Sequence, residues 1–390
     1  MWIQINTLIE NLMKYKIKIS VYLFFLFYVI ILLGVIMSNI LLENLKIILV
    51  VFLVVVILMP VVIKIANHVN ALDMPNERKV HKEPMPRLGG LAIFFGFLVG
   101  YMLFCTPTTQ MNSILIGSFI LILVGIFDDI KPISPKIKFS GQLLSAIILV
   151  FYGNVIMQEL SAFGLYINFG IFAKPITVLF VVAVINCMNL IDGLDGLASG
   201  IADIFFMTIT IIATLMGSYG GLDSALTLIM IGATSGFLLY NFHPAKIFMG
   251  DSGSMFLGYM ISVISLLGFK NVTLTSFFIP IVILAIPILD TLFAIIRRLL
   301  KGQSFAKADK EHFHHQILKM AGNQTKTVLI IYLIQVLFSA ASIVYVLRNP
   351  KLGQILYVVI FVIIVWLILS TNIIFDRNKI KNKIKGNKEN

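Results

Sequence analysis

The chain has 390 residues, of which 59% are hydrophobic and only 12% charged, and it carries a net charge of +12. Repeated apolar runs of about 18–24 residues exclude an ordinary soluble domain, because a bilayer core near 30 Å needs about 20 helical residues to cross it. Backbone groups in lipid must be satisfied within the chain, and alternating barrel strands are absent, so the sequence predicts an all-α, polytopic transmembrane helical bundle.

In chain order, the apolar runs predict spans at 19–38, 45–66, 88–105, 113–127, 139–156, 174–187, 198–217, 223–240, 254–270, 274–296, 326–347 and 353–375, about 11–12 in all. The first run, "SVYLFFLFYVIILLGVIMSNI", is too long for a signal h-region and is expected to be retained. The 174–187 span is short for a bilayer, and 157–173, with turn residues and alternation, reads as a small external hairpin. Residues 1–375 read as a single transmembrane catalytic domain, and 376–390 as a basic cytoplasmic tail. Cys105 and Cys187 fall on opposite membrane faces in this topology, which argues against a disulfide.

With both termini on one side, 25 of the 30 Lys and Arg lie on that side, and the positive-inside rule assigns it to the cytoplasm. The positive charge therefore reflects orientation and anionic headgroups, and no basic–aromatic array of a nucleic-acid reader is present. The same topology gathers Asp73, Asp128, Asp129, Asp192, Asp195, Asp251, Asp309 and Glu311 at cytoplasmic helix ends or loops. Acids from segments far apart in the chain thus converge on one membrane face, as one cytoplasmic site requires.

Five stretches carry the chemistry. "PNERKVHKEPMPRLGG" is a basic, proline-rich loop whose Arg78, Lys79, His81 and Arg87 either attract polyanions or only satisfy topology. "FDDIKPISPKIKFSGQ" puts Asp128 and Asp129 at a helix C-terminus, where the dipole disfavours two acids and calls for a cationic partner. Pro132 and Pro135 end that helix, and Lys131, Lys136 and Lys138 beyond it either hold phosphate or snorkel to headgroups. In "NCMNLIDGLDGLASG", Asn186, Asn189, Asp192 and Asp195 recur every three residues, a helical stripe of oxygen ligands and amide donors suited to Mg²⁺, ribose or phosphate. "FMGDSGS" sets Asp251 between glycines at the start of a span, where it supplies a hard oxygen or a plain N-cap. Phe248 beside it either stacks on a base or anchors at the interface. "DKEHFHH", with Arg297 and Arg298 upstream, brings His312, His314 and His315; the spacing is a poor zinc site, and imidazoles with guanidinium suit a diphosphate better. Asp290 is expected to pair with Arg297 along its helix, while His68, His243 and Cys187 read as structural.

Together, and in this order over residues 73–315, these motifs resemble the polyprenyl-phosphate N-acetylhexosamine-1-phosphate transferases, most closely the branch that makes undecaprenyl-diphospho-N-acetylglucosamine. The resemblance implies Mg²⁺-dependent transfer of a sugar 1-phosphate from a UDP-sugar to an undecaprenyl phosphate, with release of UMP. It implies Asn189 and Asp251 at the metal, and Asp128 and Asp129 orienting or activating the lipid phosphate or touching the metal. Asp192, Asp195 and Asn186 would hold the nucleotide sugar and Phe248 would stack on uracil. Lys138, Arg298, His312 and His314 would grip diphosphate or sugar. A muramoyl-pentapeptide transferase shares the acidic core, and a secondary transporter is the reading from another class, although its acids belong near the midplane between inverted repeats. The partners implied are a UDP-sugar, the polyprenyl phosphate and the membrane, with no nucleic acid; a homodimer is left open.

Overall fold

The computed structural model describes residues 39–75, 83–162, 165–217, 221–271, 281, 284–300, 313–347 and 349–370, less a few side chains at the edges of these segments. The chain divides into Met1–Lys46 and Ile47–Asn390, and apart from residues 39–46 the features that follow lie in the second unit.

Helix α1 (Asn39–His68) shows how the apolar sequence sorts itself. Val51, Val55, Met59 and Val62 are buried, whereas Leu49, Leu53 and Ile57 are exposed on the other side, as a helix between protein and lipid requires. A short antiparallel pair follows, β1 (Leu72–Asp73) with β2 (Met85–Pro86), Asp73 opposite Met85. Then come α2 (Gly89–Phe104), α3 (Thr109–Ile130) and α4 (Pro135–Ile147), which runs on as a π-helical turn through Ile148–Tyr152. The hairpin expected within 157–173 is present: β3 (Glu159–Ala162) pairs antiparallel with β4 (Leu165–Asn168). The remaining helices are α5 (Ala173–Ile191), α6 (Leu197–Leu215), α7 (Leu222–Asn241), α8 (Gly250–Asn271), α9 (Ala285–Leu300), α10 (Phe313–Ala321), α11 (Gln324–Leu347) and α12 (Pro350–Ser370).

Among the described residues, seven helical segments are long and apolar enough to cross a membrane: Leu42–His68, Thr109–Ile130, Gly170–Ile191, Leu197–Leu215, Leu222–Asn241, Gly250–Gly268 and Gln324–Val346. Gly89–Phe104 and Pro350–Ile364 are apolar but shorter. The polytopic helical bundle is thus observed. The span expected at 19–38 lies outside the described residues, as does much of 274–284. The span expected to be short is not: α5 continues to Ile191, and Asn186 and Asn189 in its last turns direct their amides to protein partners.

Helix α8 is the centre of the bundle, packed against α2, α3 and α5. Its first turns are built from small residues, and glycines on its neighbours meet them backbone to backbone. A methyl group on Gly125 of α3 would land on the Ser252 backbone, and one on Gly90 of α2 would land on the Gly253 backbone. On α8 itself, a Cβ at Gly258 would lie 2.6 Å from Ile185 Cα, whereas one at Gly268 would find its nearest neighbour, Asp223 Oδ2, at 3.8 Å. The closest helix crossings therefore sit at the N-terminal half of α8. Gly125→Ala and Gly258→Ala are expected to lower stability by roughly 1–3 kcal/mol, the usual overpacking penalty. Gly268→Ala should be neutral or stabilising by up to about 1 kcal/mol, since alanine is the better helix former. Thermal unfolding of the three purified variants in one detergent checks this contrast.

Candidate active site

The end of the bundle marked by the α8 N-terminus collects charged side chains from five stretches of chain. Asp128 and Asp129 occupy the last turn of α3, which ends at Ile130, close to where the prolines place its end. Asp129 is fully buried, and both of its oxygens are engaged. Oδ1 accepts the Asp251 N–H at 2.8 Å and the Arg87 Nε–H at 3.1 Å, and Oδ2 accepts the Ser252 N–H at 3.1 Å and the Ser252 hydroxyl at 2.7 Å. The first N–H groups of a helix have no partner within it, and the helix dipole favours negative charge there. Asp129 supplies both to α8 from another helix.

Arg87 completes this arrangement. The β1–β2 pairing and the Arg87 N–H to Ala71 carbonyl bond (3.0 Å) set its backbone. Its guanidinium lies 2.9 Å from Asp129 Oδ1, 3.5 Å from Asp73 Oδ1, 3.6 Å from Asp251 Oδ1 and 3.8 Å from Asp128 Oδ2. Burial alone would lower its pKa, but attraction to Asp129, Asp251 and Asp73 outweighs that and raises it. Lys138, in the first turn of α4, bridges Asp128 Oδ2 at 2.7 Å and Asp251 Oδ2 at 2.6 Å. The cationic partner anticipated for the paired acids is thus two residues, and Arg87 was legible only as one of several basic loop residues.

Backbone pairing locks the loop before α8 onto the start of α2. The Phe248 N–H donates to the Pro86 carbonyl (2.7 Å), while Gly89 and Gly90 donate to the Phe248 and Met249 carbonyls (3.0 and 2.9 Å). Gly250 turns into α8 with φ +73°, and a side chain there would strike the Arg87 carbonyl and the Asp129 carboxylate. Phe248 therefore sits beside the acidic cluster, half-buried.

The asparagine–aspartate stripe divides. Asn186 and Asn189 remain on α5: Asn186 donates to Gln142 Oε1 at 2.7 Å, and Asn189 donates to Ser254 Oγ at 2.8 Å, which ties it to α8 one turn after Gly250. Asp192 is the first residue beyond the helix, and Asp195 lies in the turn that follows, so the four do not share one helical face. The helix ends at Ile191, before the stripe is complete, and Gly196, with φ +77°, stands at the N-cap of α6. Asp195 Oδ2 accepts the Ala245 N–H at 3.1 Å and lies 2.7 Å from His243 Nδ1, so His243, read as structural, is the partner of a predicted site residue. The same turn is held by Asn241, which accepts from the Gly196 N–H at 3.0 Å, and by the Tyr332 hydroxyl on the Gly196 carbonyl.

His314 is buried with its Nδ1 3.2 Å from Asp290 Oδ2, which joins α10 to α9. A Cβ on Gly193 would stand 2.6 Å from His314 Nε2, so the imidazole lies against the Asp192–Gly196 turn. Asp290 was expected to meet Arg297; its observed partner is His314, and the Arg297 side chain lies outside the described residues. Arg298's side chain and His312 likewise lie outside them. Gln142 and Ser254 gave no signal in the sequence, because uncharged residues within apolar helices carry none until the facing helix is known; Ser252, a candidate N-cap in sequence, instead donates its hydroxyl to Asp129.

The chemistry of this donor set fits a hard divalent cation. Asp128, Asp129 and Asp251 each offer a carboxylate oxygen, all within 4.8 Å of one another. Mg²⁺ takes oxygen ligands and is commonly held by one or two carboxylates plus substrate phosphate.

Comparisons with known proteins identify the family. Residues 111–269, from α3 to α8, match the family model described as glycosyl transferase family 4. A Bacillus subtilis protein named a probable undecaprenyl-phosphate N-acetylglucosaminyl 1-phosphate transferase is 46% identical over 315 residues, 80% of this chain and 87% of that one. The chain belongs to glycosyl transferase family 4. Decaprenyl-phosphate N-acetylglucosaminephosphotransferase of Mycobacterium tuberculosis is 33% identical over 74% of this chain and 78% of its own length. Undecaprenyl-phosphate alpha-N-acetylglucosaminyl 1-phosphate transferase of Escherichia coli K12 is 29% identical over 72% and 78%.

Two tests address the electrostatics. Asp129→Ala should cost about 3–5 kcal/mol, as removal of one partner from a buried ion pair does, visible as a fall in unfolding temperature in detergent. Asp192 has its pKa pushed up to about 7, first by burial and then by the negative charge of Asp251 and Asp129. Its unfolded value is about 4, so between these limits the folded protein holds a proton that the unfolded chain has lost. This group's contribution is therefore complete below about pH 4 and declines as pH rises to about 7. In chelator, Asp192→Asn should flatten the fall in melting temperature between about pH 4 and about pH 7; an unaltered slope would show that Asp192 does not carry it.

Proposed function

We propose that the protein transfers N-acetylglucosamine 1-phosphate from UDP-N-acetylglucosamine to undecaprenyl phosphate, giving undecaprenyl-diphospho-N-acetylglucosamine and UMP, and so begins a cell-envelope polymer such as teichoic acid. The cluster of Asp128, Asp251, Lys138 and Arg87 at the head of α8 carries this reading, and the names of the relatives support it. The site faces the cytoplasm of the plasma membrane, as the Lys and Arg bias supports, so that the soluble nucleotide enters from water while the polyprenyl tail stays in lipid.

An oxygen of the lipid phosphate attacks the sugar-bearing phosphorus of the donor, forming a new phosphoanhydride, and the bond to the UMP oxygen breaks. Both reactants are anionic, so the protein's task is to position them and to offset like charge. Mg²⁺, held by Asp251 and Asp128 with Asn189, would supply Lewis-acid neutralisation of the phosphate oxygens. Lys138 and Arg87 add positive charge, and Asp129 positions Asp251 through the α8 backbone. Lipid phosphate is already largely ionised near neutral pH, so Asp128 orients charge in preference to removing a proton. Asp192 and Asp195 line the nucleotide-sugar pocket with Asn186, Phe248 stacks on uracil, and His314 with Arg298 and His312 grips the diphosphate.

Purified protein given undecaprenyl phosphate and a panel of UDP-N-acetylhexosamines should form UMP and lipid diphosphate only with Mg²⁺ or Mn²⁺ present, and best with the N-acetylglucosamine donor. Asp251→Asn and Asp128→Asn should lose on the order of 10²–10³ in rate, the usual cost of one preorganised charge-stabilising group. Normal turnover in either variant removes that assignment, and no UMP from any donor ends the proposal.

A further inference from the structure

The oxygens of the acidic cluster are not equally free to take a cation. Asp129 spends both of its oxygens on the α8 N-terminus, the Ser252 hydroxyl and Arg87. Asp128 Oδ1 accepts the Ile133 N–H at 2.9 Å, which fixes the turn after α3. What remains for an incoming cation is Asp128 Oδ2 and the Asp251 carboxylate; Lys138 Nζ already bridges the two Oδ2 atoms at 2.7 and 2.6 Å, and Asp251 Oδ1 lies 3.6 Å from Arg87. A magnesium ion binds oxygen at about 2.0–2.1 Å, so one held by both Asp128 and Asp251 would compete with the ammonium for Asp128 Oδ2.

The two basic residues differ in how they could yield. Arg87 is held by its backbone bond to Ala71 and by two nitrogens on Asp129. Lys138 stands on a flexible four-carbon stem near the start of α4, its side chain 26% exposed, so its ammonium can swing away without disturbing a helix contact.

We propose that Lys138 is a placeholder cation: it neutralises Asp128 and Asp251 until a divalent ion takes them, and is thereby released to meet an anionic phosphate of the substrate. The second half rests on the phosphotransfer reading above; the exchange itself does not. It assigns Lys138 two successive partners and couples metal binding to the appearance of a mobile positive charge beside the reaction centre. It also keeps two neighbouring, largely buried carboxylates from facing each other uncompensated in the absence of metal.

The test uses full-length protein in detergent and Mn²⁺ alone, with free Mn²⁺ counted by electron paramagnetic resonance. Lys138→Met should bind Mn²⁺ about tenfold more tightly than the wild type, the scale expected from removing one unit charge a few ångströms from the ion at high effective dielectric. It should also melt below the wild type in chelator, gain more from Mn²⁺, and form UMP more slowly. Equal or weaker Mn²⁺ affinity overturns the proposal. If Lys138→Met does not fold, the wild type answers: acetylation of Lys138 by an amine-reactive ester, read by peptide mass spectrometry, should rise on adding Mn²⁺, and no rise overturns the exchange. Absence of UMP formation in the wild type counts against the phosphotransfer reading alone, because both metal measurements are independent of turnover.

Discussion

The carboxylate of Asp129 is the joint on which the site depends. It caps α8 from the end of α3, and its Oδ1 also holds Arg87, whose backbone is set by the β1–β2 pairing. Three pieces of chain that are far apart in sequence are thereby fixed to within hydrogen-bond distances. A helix N-terminus buried in a bundle needs acceptors for its free N–H groups, and here the acceptor is also a member of the charged cluster. Stability and site geometry are consequently carried by the same atoms. Asp251 owes its position to this cap, since its own N–H is one of the capped groups.

Charge balance imposes a second constraint. Asp73, Asp128, Asp129 and Asp251 surround two cations, Arg87 and Lys138, which leaves two formal negative charges in excess. Such an excess is expensive where water is scarce, and one divalent ion would cancel it. The raised pKa of Asp192 is felt from the same source, because Asp251 and Asp129 add to the effect of its burial. The small residues of α8 belong to this constraint too, since backbone contact at Gly125 and Gly90 brings the cluster's supporting elements together.

Two histidine–aspartate contacts, one part-buried and one buried, extend the site outward. His243 with Asp195 braces the turn after α5 against the loop before α8, and His314 with Asp290 sets an imidazole against the other side of that turn. The Asp192–Gly196 turn is thus held from both sides, by segments from well beyond it in the sequence. A local reading treats Asp192 and Asp195 as equivalent members of a stripe, whereas the fold gives Asp195 to the loop and leaves Asp192 at the helix end.

Much was legible in the residues themselves. Apolar run length set the bundle, because a bilayer imposes a minimum span on any helix that crosses it. The prolines after Asp129 marked the end of α3, and the alternation of 157–173 marked the hairpin, since both are local backbone effects. The acids were conspicuous because charge at the end of an apolar helix is costly without a purpose. Partners were another matter. Arg87 could be told from Lys79 only by the strand pair that aims it, Gln142 and Ser254 only by the helices they face, and the division of labour between Asp128 and Asp129 only by counting which oxygens are already bonded. Periodicity and composition act through neighbours in the chain, while ion pairs and helix caps act through neighbours in space; the sequence by itself determined the former, and tertiary packing alone decided the latter.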